Sequence, residues 1–284
     1  MVVTAETEEQ RSKREHQRLL FDGVAGLYDA TRRGYPPEIV STIFSTAAIG
    51  PGATVLEIGC GTGQFTRELA GRALDVTAID IGAAMVAAAR RNVADPRARF
   101  QVCSFEDFTG SGPFDLIVSA TAFHWIDPAV GLAKAARLLR PGGWLALLAT
   151  GERYPEPLRT QLRDLWVKYS NQNAPSAGQP AWLAALQETS LFGPSVEATH
   201  TEALQLPAQT VMGVERTRAT FLSYSQQDQA SFTADLGQLI QPATQHRPGP
   251  GNLPRHGPVH RLTPPHDQPA TIPVEVKVPD AAPG

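Results

Sequence analysis

Residues 55–66, V-L-E-I-G-C-G-T-G-Q-F-T, constrain the fold of this chain more than any other segment. A short apolar run ends in a loop with glycine at every second position: Gly59, Gly61 and Gly63. A helix-like segment follows. Apolar run, glycine loop and helix form the opening of a ligand-binding α/β domain. Glycine has no Cβ, so the backbone can turn with positive φ and approach a ligand closely. The spacing is one residue shorter than the dinucleotide fingerprint G-x-G-x-x-G. Glu57, an acid, stands two residues before the first glycine. Taken alone, the loop leaves open two kinds of nucleotide-type ligand and a turn used only for packing.

The following hundred residues alternate. The pattern predicts strands at 53–58, 75–79, 98–103, 114–119 and 144–149, and helices at 63–70, 83–92 and 129–138. Alternation of this kind implies an α/β fold with a mostly parallel, doubly wound sheet. The strands read as apolar runs, as strands covered on both faces should. Ligands in such sheets bind beyond the C-terminal strand ends. The second strand, V-T-A-I-D, ends there on Asp80. A carboxylate at that point can accept hydrogen bonds from both ribose hydroxyls, in nicotinamide enzymes as well as others. Ile81 and Met85 follow, placed to touch an adenine face or to pack in the core.

Two later segments separate the ligand classes. One is F-D-L-I-V-S-A-T-A-F-H-W-I-D, residues 114–127; the other is L-L-R-P-G-G-W, residues 138–144. Together with the glycine loop they resemble the class I S-adenosylmethionine-dependent methyltransferases of the type 11 group, over roughly residues 20–150. The chain is further similar to the trans-aconitate-methyltransferase-like subgroup through Tyr28, Arg33, Tyr35-Pro36 and residues 122–125. The resemblance implies a Rossmann-like class I methyltransferase fold and S-adenosyl-L-methionine as cofactor. It assigns donor contacts to Glu57, Gly59, Cys60, Gly61, Thr62, Gly63, Asp80, Ile81, Met85, Phe105, Glu106 and Ala120. It assigns an acceptor pocket to Tyr28, Arg33, Tyr35, His124 and Trp125. Ser104 departs from the family, many members of which carry Asp there, so the adenine contact is not tied to one side chain. His124, at a strand end facing a cleft, is read either as a general base or as a pocket wall.

The resemblance divides the chain into a helical N-terminal segment contributing to the active-site cap (1–50), a donor-binding core (51–150), a helical acceptor-site region (151–241) and a tail (242–284). Within these, the pattern predicts a helix over 6–26, a turn at Gly34 and Pro36-Pro37, and a helix over 37–48. It further predicts a strand within 195–205 and one long helix over 214–240. The tail is dense in proline and lacks Phe, Trp and Tyr. Such a composition buries too little apolar surface to offset its ordering entropy, so a disordered tail is expected. The family pattern, however, requires a last strand inserted into the sheet. Residues 272–278, I-P-V-E-V-K-V, are the only strand-like piece left to supply it.

Composition excludes several functions. Net charge is −3 and pI about 6.2, unlike a nucleic-acid-binding domain. The fourth strand also lacks the Asn/Asp-Pro-Pro-Tyr/Phe ending of nucleic-acid amino-methyltransferases. Two cysteines are too few for a disulfide framework, and no Cys/His cluster has zinc spacing. No run of about 18 apolar residues suggests a membrane helix, and the charged N-terminus lacks a secretion signal, so a cytoplasmic protein is expected. The expected function is methyl transfer to a small-molecule acceptor, through a carboxylate or hydroxyl oxygen, with no nucleic-acid, membrane or metal partner. A catalytically silent donor-binding protein is the alternative, and a nicotinamide dehydrogenase the third reading.

Overall fold

The computed structural model describes residues 8–152, 154–170, 181–193, 195–200, 206–240 and 272–277. Five parallel strands form its centre: β1 (Thr54–Ile58), β2 (Asp75–Asp80), β3 (Ala98–Val102), β4 (Phe114–Ala120) and β5 (Leu139–Leu148). Successive side chains of a strand point to opposite faces. Val55 on β1, with Leu116 and Val118 on β4, therefore joins one core, while Leu56, Ile58 and Ile117 join the other. This double burial is why the sequence shows apolar runs rather than polar alternation.

Helices α3 (Pro37–Thr46), α4 (Thr66–Leu69) and α5 (Ala83–Asn92) cover the first face; α6 (Pro128–Leu138) and α8 (Ala181–Glu188) cover the second. Helix α6 starts where sequence rules place it. Asp127 accepts from the Val130 amide at 3.0 Å, and Pro128 occupies the first turn. Strand β5 begins at Leu139, earlier than expected, and Pro141-Gly142-Gly143 lies within it at a register shift against β4.

The sheet order is β3-β2-β1-β4-β5-β7-β6. Strand β6 (Ser195–His200) and strand β7 (Ile272–Lys277) are antiparallel, and β7 lies between β5 and β6. The expectation of a disordered tail is therefore corrected for these six residues. Leu145 to Leu148 on β5 offer an otherwise open edge, and an extended I-P-V-E-V-K segment completes the ladder on both sides. The remaining tail, with His246, His256, His260 and His266, lies outside the described residues.

The long helix expected over 214–240 is also corrected. Helix α9 (Ala208–Arg216), the short α10 (Ala219–Leu222) and α11 (Gln226–Ile240) replace it. Arg218 is extended (φ −81°, ψ 140°). Ser225 Oγ accepts from the Asp228 amide and donates to its carboxylate, a cap that starts α11 afresh. Residues of α7 (Leu158–Ser170), α10 and α11 share a third core, and Leu20, Phe21 and Val24 from the N-terminal segment pack against it. The N-terminal segment comprises α1 (Glu8–Leu19), a 3-10 turn and α2 (Ala25–Thr31). It thus joins the helices after β5 in one layer over the C-terminal strand ends. No described helix is long and apolar enough to cross a membrane.

Candidate functional site

A cleft of about 300 Å³ opens above the C-terminal ends of β1, β2 and β4. The glycine loop forms part of its floor. The amides of Gly59 and Cys60 both donate to the Ile79 carbonyl, tying the loop to the end of β2. Gly59 has φ +73°, and a Cβ there would lie 2.3 Å from the Ala122 Cβ. Only glycine fits that approach. Gly61, also left-handed at φ +54°, faces Tyr28 and the cleft.

Asp80 binds the loop from the other side. Its two carboxylate oxygens accept from the Gly61 amide (2.9 Å) and the Gly82 amide (2.8 Å). Burial raises its pKa, and these two hydrogen bonds pull against that. Beyond Asp80, the first turn of α5 is capped from a distance. Asp22 accepts from the amides of Ala84 (2.6 Å) and Met85 (3.1 Å).

Of the donor residues named from sequence, Gly59, Gly61, Asp80, Ile81, Met85, Phe105 and Ala120 line the cleft. Glu57, Cys60, Thr62, Gly63 and Glu106 do not. Cys60 is buried, and burial pushes its thiol well up. Thr62 is turned to the N-terminal segment, donating to Asp29 at 2.9 Å. Gly63 packs against Ala89 of α5 and Val93 just after it. Glu106 pairs with Arg18 at 3.2 Å and Arg14 at 3.6 Å. Ser104 is engaged with Asp107.

Glu57 lies under the loop with 1% of its surface exposed, and its Oε2 has no hydrogen-bond partner. Burial raises its carboxyl to about 8; the nearby Thr66 hydroxyl pulls against this and the Asp80 charge adds to it. The unfolded chain ionises this group above its ordinary 4.5, while the folded chain keeps the proton up to about 8. Stability should therefore fall as pH rises through that window. Glu57→Gln is expected to remove this decline and to raise the thermal midpoint at pH 8. An unaltered pH slope in the variant would assign the decline to another group.

Of the residues assigned to an acceptor pocket, Tyr28, His124 and Trp125 line the cleft; Arg33 and Tyr35 do not. Arg33 is exposed. Helix α2 ends at Thr31, and extended backbone follows at Arg32 (φ −83°, ψ 131°). Neighbouring side chains there point opposite ways, so Arg32 faces the cleft and Arg33 faces out. Tyr35 stands behind the wall, its hydroxyl 3.1 Å from Thr121 Oγ1, which in turn lies 3.1 Å from Thr150 Oγ1.

His124 lines the cleft and keeps an exposed ring face, while neighbouring protein still reduces the hydration of the imidazole. The lost hydration lowers its imidazole to about 4. The ring tilts against Trp125, with centroids 4.8 Å apart, and no hydrogen-bond partner orients it among the described residues. Phe21 meets both Trp125 and Tyr28 edge-on, at 5.8 Å and 6.1 Å. The cleft thus has an aromatic wall on one side.

Several lining residues carried no sequence signal. Arg18, Phe21 and Arg32 come from the N-terminal segment, and Glu152 and residues 217–220 from beyond β5. Their polar members form a chain of alternating charge. Arg32 contacts Glu152 at 3.3 Å, Glu152 contacts Arg218 at 3.1 Å, and Arg218 contacts the buried Glu215 at 2.8 Å. No group of three or more His, Cys, Asp or Glu suited to a metal occurs among the described residues.

A family model described as a methyltransferase domain matches residues 55–143. An uncharacterized methyltransferase of Mycobacterium tuberculosis is 35% identical over 136 residues, 48% of this chain and 54% of its own length. An uncharacterized methyltransferase of Geobacillus kaustophilus is 33% identical over 158 residues, 51% of this chain and 72% of its own length. Further relatives at 32–34% identity bear the name malonyl-[acyl-carrier protein] O-methyltransferase. Apart from the Geobacillus protein, the chain spans about half the length of these curated relatives. Among solved structures, phosphoethanolamine N-methyltransferase 2 of Haemonchus contortus, in complex with S-adenosyl-L-methionine, matches with a TM-score of 0.52. It shares 17% identity over 91% of this chain and 57% of that one, a likeness of fold alone.

Proposed function

The chain belongs to the class I S-adenosylmethionine-dependent methyltransferases, and we propose that it transfers a methyl group from that donor to a carboxylate or hydroxyl oxygen of a small molecule. The observation that carries this reading is Glu57. A buried carboxyl with an unpartnered oxygen, directly under a glycine loop, suits a ligand that brings an ammonium group. Glu57 would anchor that ammonium directly or through water. Gly59 and Gly61 would let the backbone approach the amino-acid end, and Asp80 would accept from the ribose hydroxyls. Ile81, Met85 and Phe105 would flank the base. When bound, the donor supplies an activated methyl group on a sulfonium. The protein's task is then to bind, orient and exclude water, holding a nucleophile about 3 Å from the methyl carbon.

The names of the malonyl-[acyl-carrier protein] relatives favour a carboxylate oxygen as acceptor. A carboxylate is already ionised at neutral pH and needs no base. His124 fits that chemistry as a wall or orienter. Reduced hydration lowers the imidazole below its usual range, which makes it a weaker proton acceptor. For a carboxylate acceptor, His124→Asn is expected to lower kcat less than about tenfold, with no rate limb near pH 6.5. A thousandfold loss with unchanged acceptor binding would make it the base.

The reading is tested by calorimetry with S-adenosylmethionine, S-adenosylhomocysteine and NAD, followed by a metabolite screen with a labelled methyl donor. Binding of the first two and turnover on an oxygen acceptor are expected. Binding without turnover across the screen would instead favour a silent donor-binding protein, and binding of NAD alone a dehydrogenase.

A further inference from the structure

Arg32 and Arg218 reach the cleft from opposite ends of the sequence, and both are held by partners other than Glu152. Arg32 Nε donates to Thr217 Oγ1 at 3.0 Å, and its Nη2 donates to the carbonyls of Val214 and Thr217 at 3.3 and 3.2 Å. Arg218 donates from Nε and Nη2 to the two oxygens of Glu215, at 2.8 and 2.9 Å. Glu215 is itself buried and fixed, accepting from Tyr154 at 3.0 Å and Trp166 Nε1 at 2.9 Å. The two guanidinium groups therefore keep their places whatever happens at Glu152.

Glu152 differs in kind. It meets each arginine through one oxygen, at 3.3 Å and 3.1 Å. Both contacts are longer than the 2.7–2.9 Å typical of a strong charge-assisted hydrogen bond. Its side chain keeps 27% of its surface exposed and stands on the loop after β5. With Glu152 in place the charges of Arg32, Arg218, Glu152 and Glu215 sum to zero; with it withdrawn, the remaining three carry one net positive charge. We propose that Arg32 and Arg218 receive a carboxylate of the acceptor, and that Glu152 is the internal carboxylate this group displaces.

The received carboxylate is not the reacting one. A carboxylate clamped between two guanidinium groups has its lone pairs engaged and its charge neutralised, so it is a poor nucleophile. The acceptor on this view carries an anionic group besides the oxygen that is methylated. Glu152 then sets specificity: a neutral analogue cannot displace it, and a dianionic one can.

This inference rests on the methyltransferase reading, and the experiment separates the two. Calorimetry on the full chain, saturated with S-adenosylhomocysteine, would use glutarate, its diamide and the diamine cadaverine as probes. Glu152→Gln keeps the side chain's size and removes the competing charge. It is expected to bind glutarate at least about tenfold more tightly than the parent, with the diamide unaffected. The gain should vanish in Glu152→Gln/Arg32→Gln, whose thermal midpoint and S-adenosylhomocysteine affinity report that the fold and donor site survive. Unchanged or weaker glutarate binding in Glu152→Gln would overturn the proposal. So would cadaverine binding to the parent that Glu152→Gln abolishes, since Glu152 would then be a receptor for a cationic acceptor. Failure of the parent to bind S-adenosylhomocysteine would sink the methyltransferase reading and this proposal together.

Discussion

Replacing Asp80 with alanine is expected to weaken S-adenosylmethionine binding by roughly ten- to several-hundred-fold. A charge-assisted hydrogen bond from a ribose hydroxyl to the carboxylate is worth about 1.5–3 kcal/mol, so the range runs from the loss of one such bond to the loss of two at the lower value. S-adenosylhomocysteine should lose affinity by a similar factor, since both ligands carry the ribose. A second effect adds to the first. Asp80 also accepts from the amides of Gly61 and Gly82, so the alanine variant loosens the glycine loop and the entrance to α5. Asp80→Asn separates the two contributions. Its carboxamide keeps one acceptor oxygen but turns an NH2 toward one of those amides. It should therefore bind both ligands more weakly than the parent, despite equal size. Calorimetry with both ligands, alongside thermal unfolding, measures these losses. Binding of both within about twofold of the parent in a folded Asp80→Ala protein would remove Asp80 from the donor site.

Deleting residues 246–284 is expected to destabilise the protein severely. The deletion removes β7, which pairs with Leu145 to Leu148 of β5 on one side and with all six residues of β6 on the other. Without it, β6 loses the one sheet neighbour it has among the described residues, and β5 gains an open edge. At about 0.5–1.5 kcal/mol net for each ladder hydrogen bond, the loss amounts to several kcal/mol. In a domain of this size that lowers the thermal midpoint by more than about 10 °C. The shorter deletion of residues 279–284 spares β7 and serves as the control. A midpoint that barely moves on the longer deletion would mean that β7 contributes little to the fold.

Asp80 was legible in the sequence because its position is local: it ends an apolar strand run beside a glycine loop, and parallel topology brings such strand ends together. Strand β7 was legible only as a possibility. Its composition and proline-rich surroundings pointed to disorder, while its apolar alternation fitted a strand. Choosing between them depends on an edge offered by β5, more than a hundred residues away in the chain.

The sequence by itself determined the five parallel strands, the glycine loop, the place of Asp80 at a strand end, and helices such as the one expected over 129–138, found as α6. Each rests on a pattern read within a few residues. The tertiary structure alone decided which further side chains join them in the cleft. Arg32 rather than Arg33 faces it because α2 stops at Thr31, a stop with no marker in the sequence. The Glu152–Arg218–Glu215 chain exists because an extended Arg218 interrupts what reads as one long helix. Asp22 caps α5 across 62 positions of chain. Such contacts join segments whose local patterns are silent about one another, and only their packing into one layer over the strand ends brings them within hydrogen-bond distance.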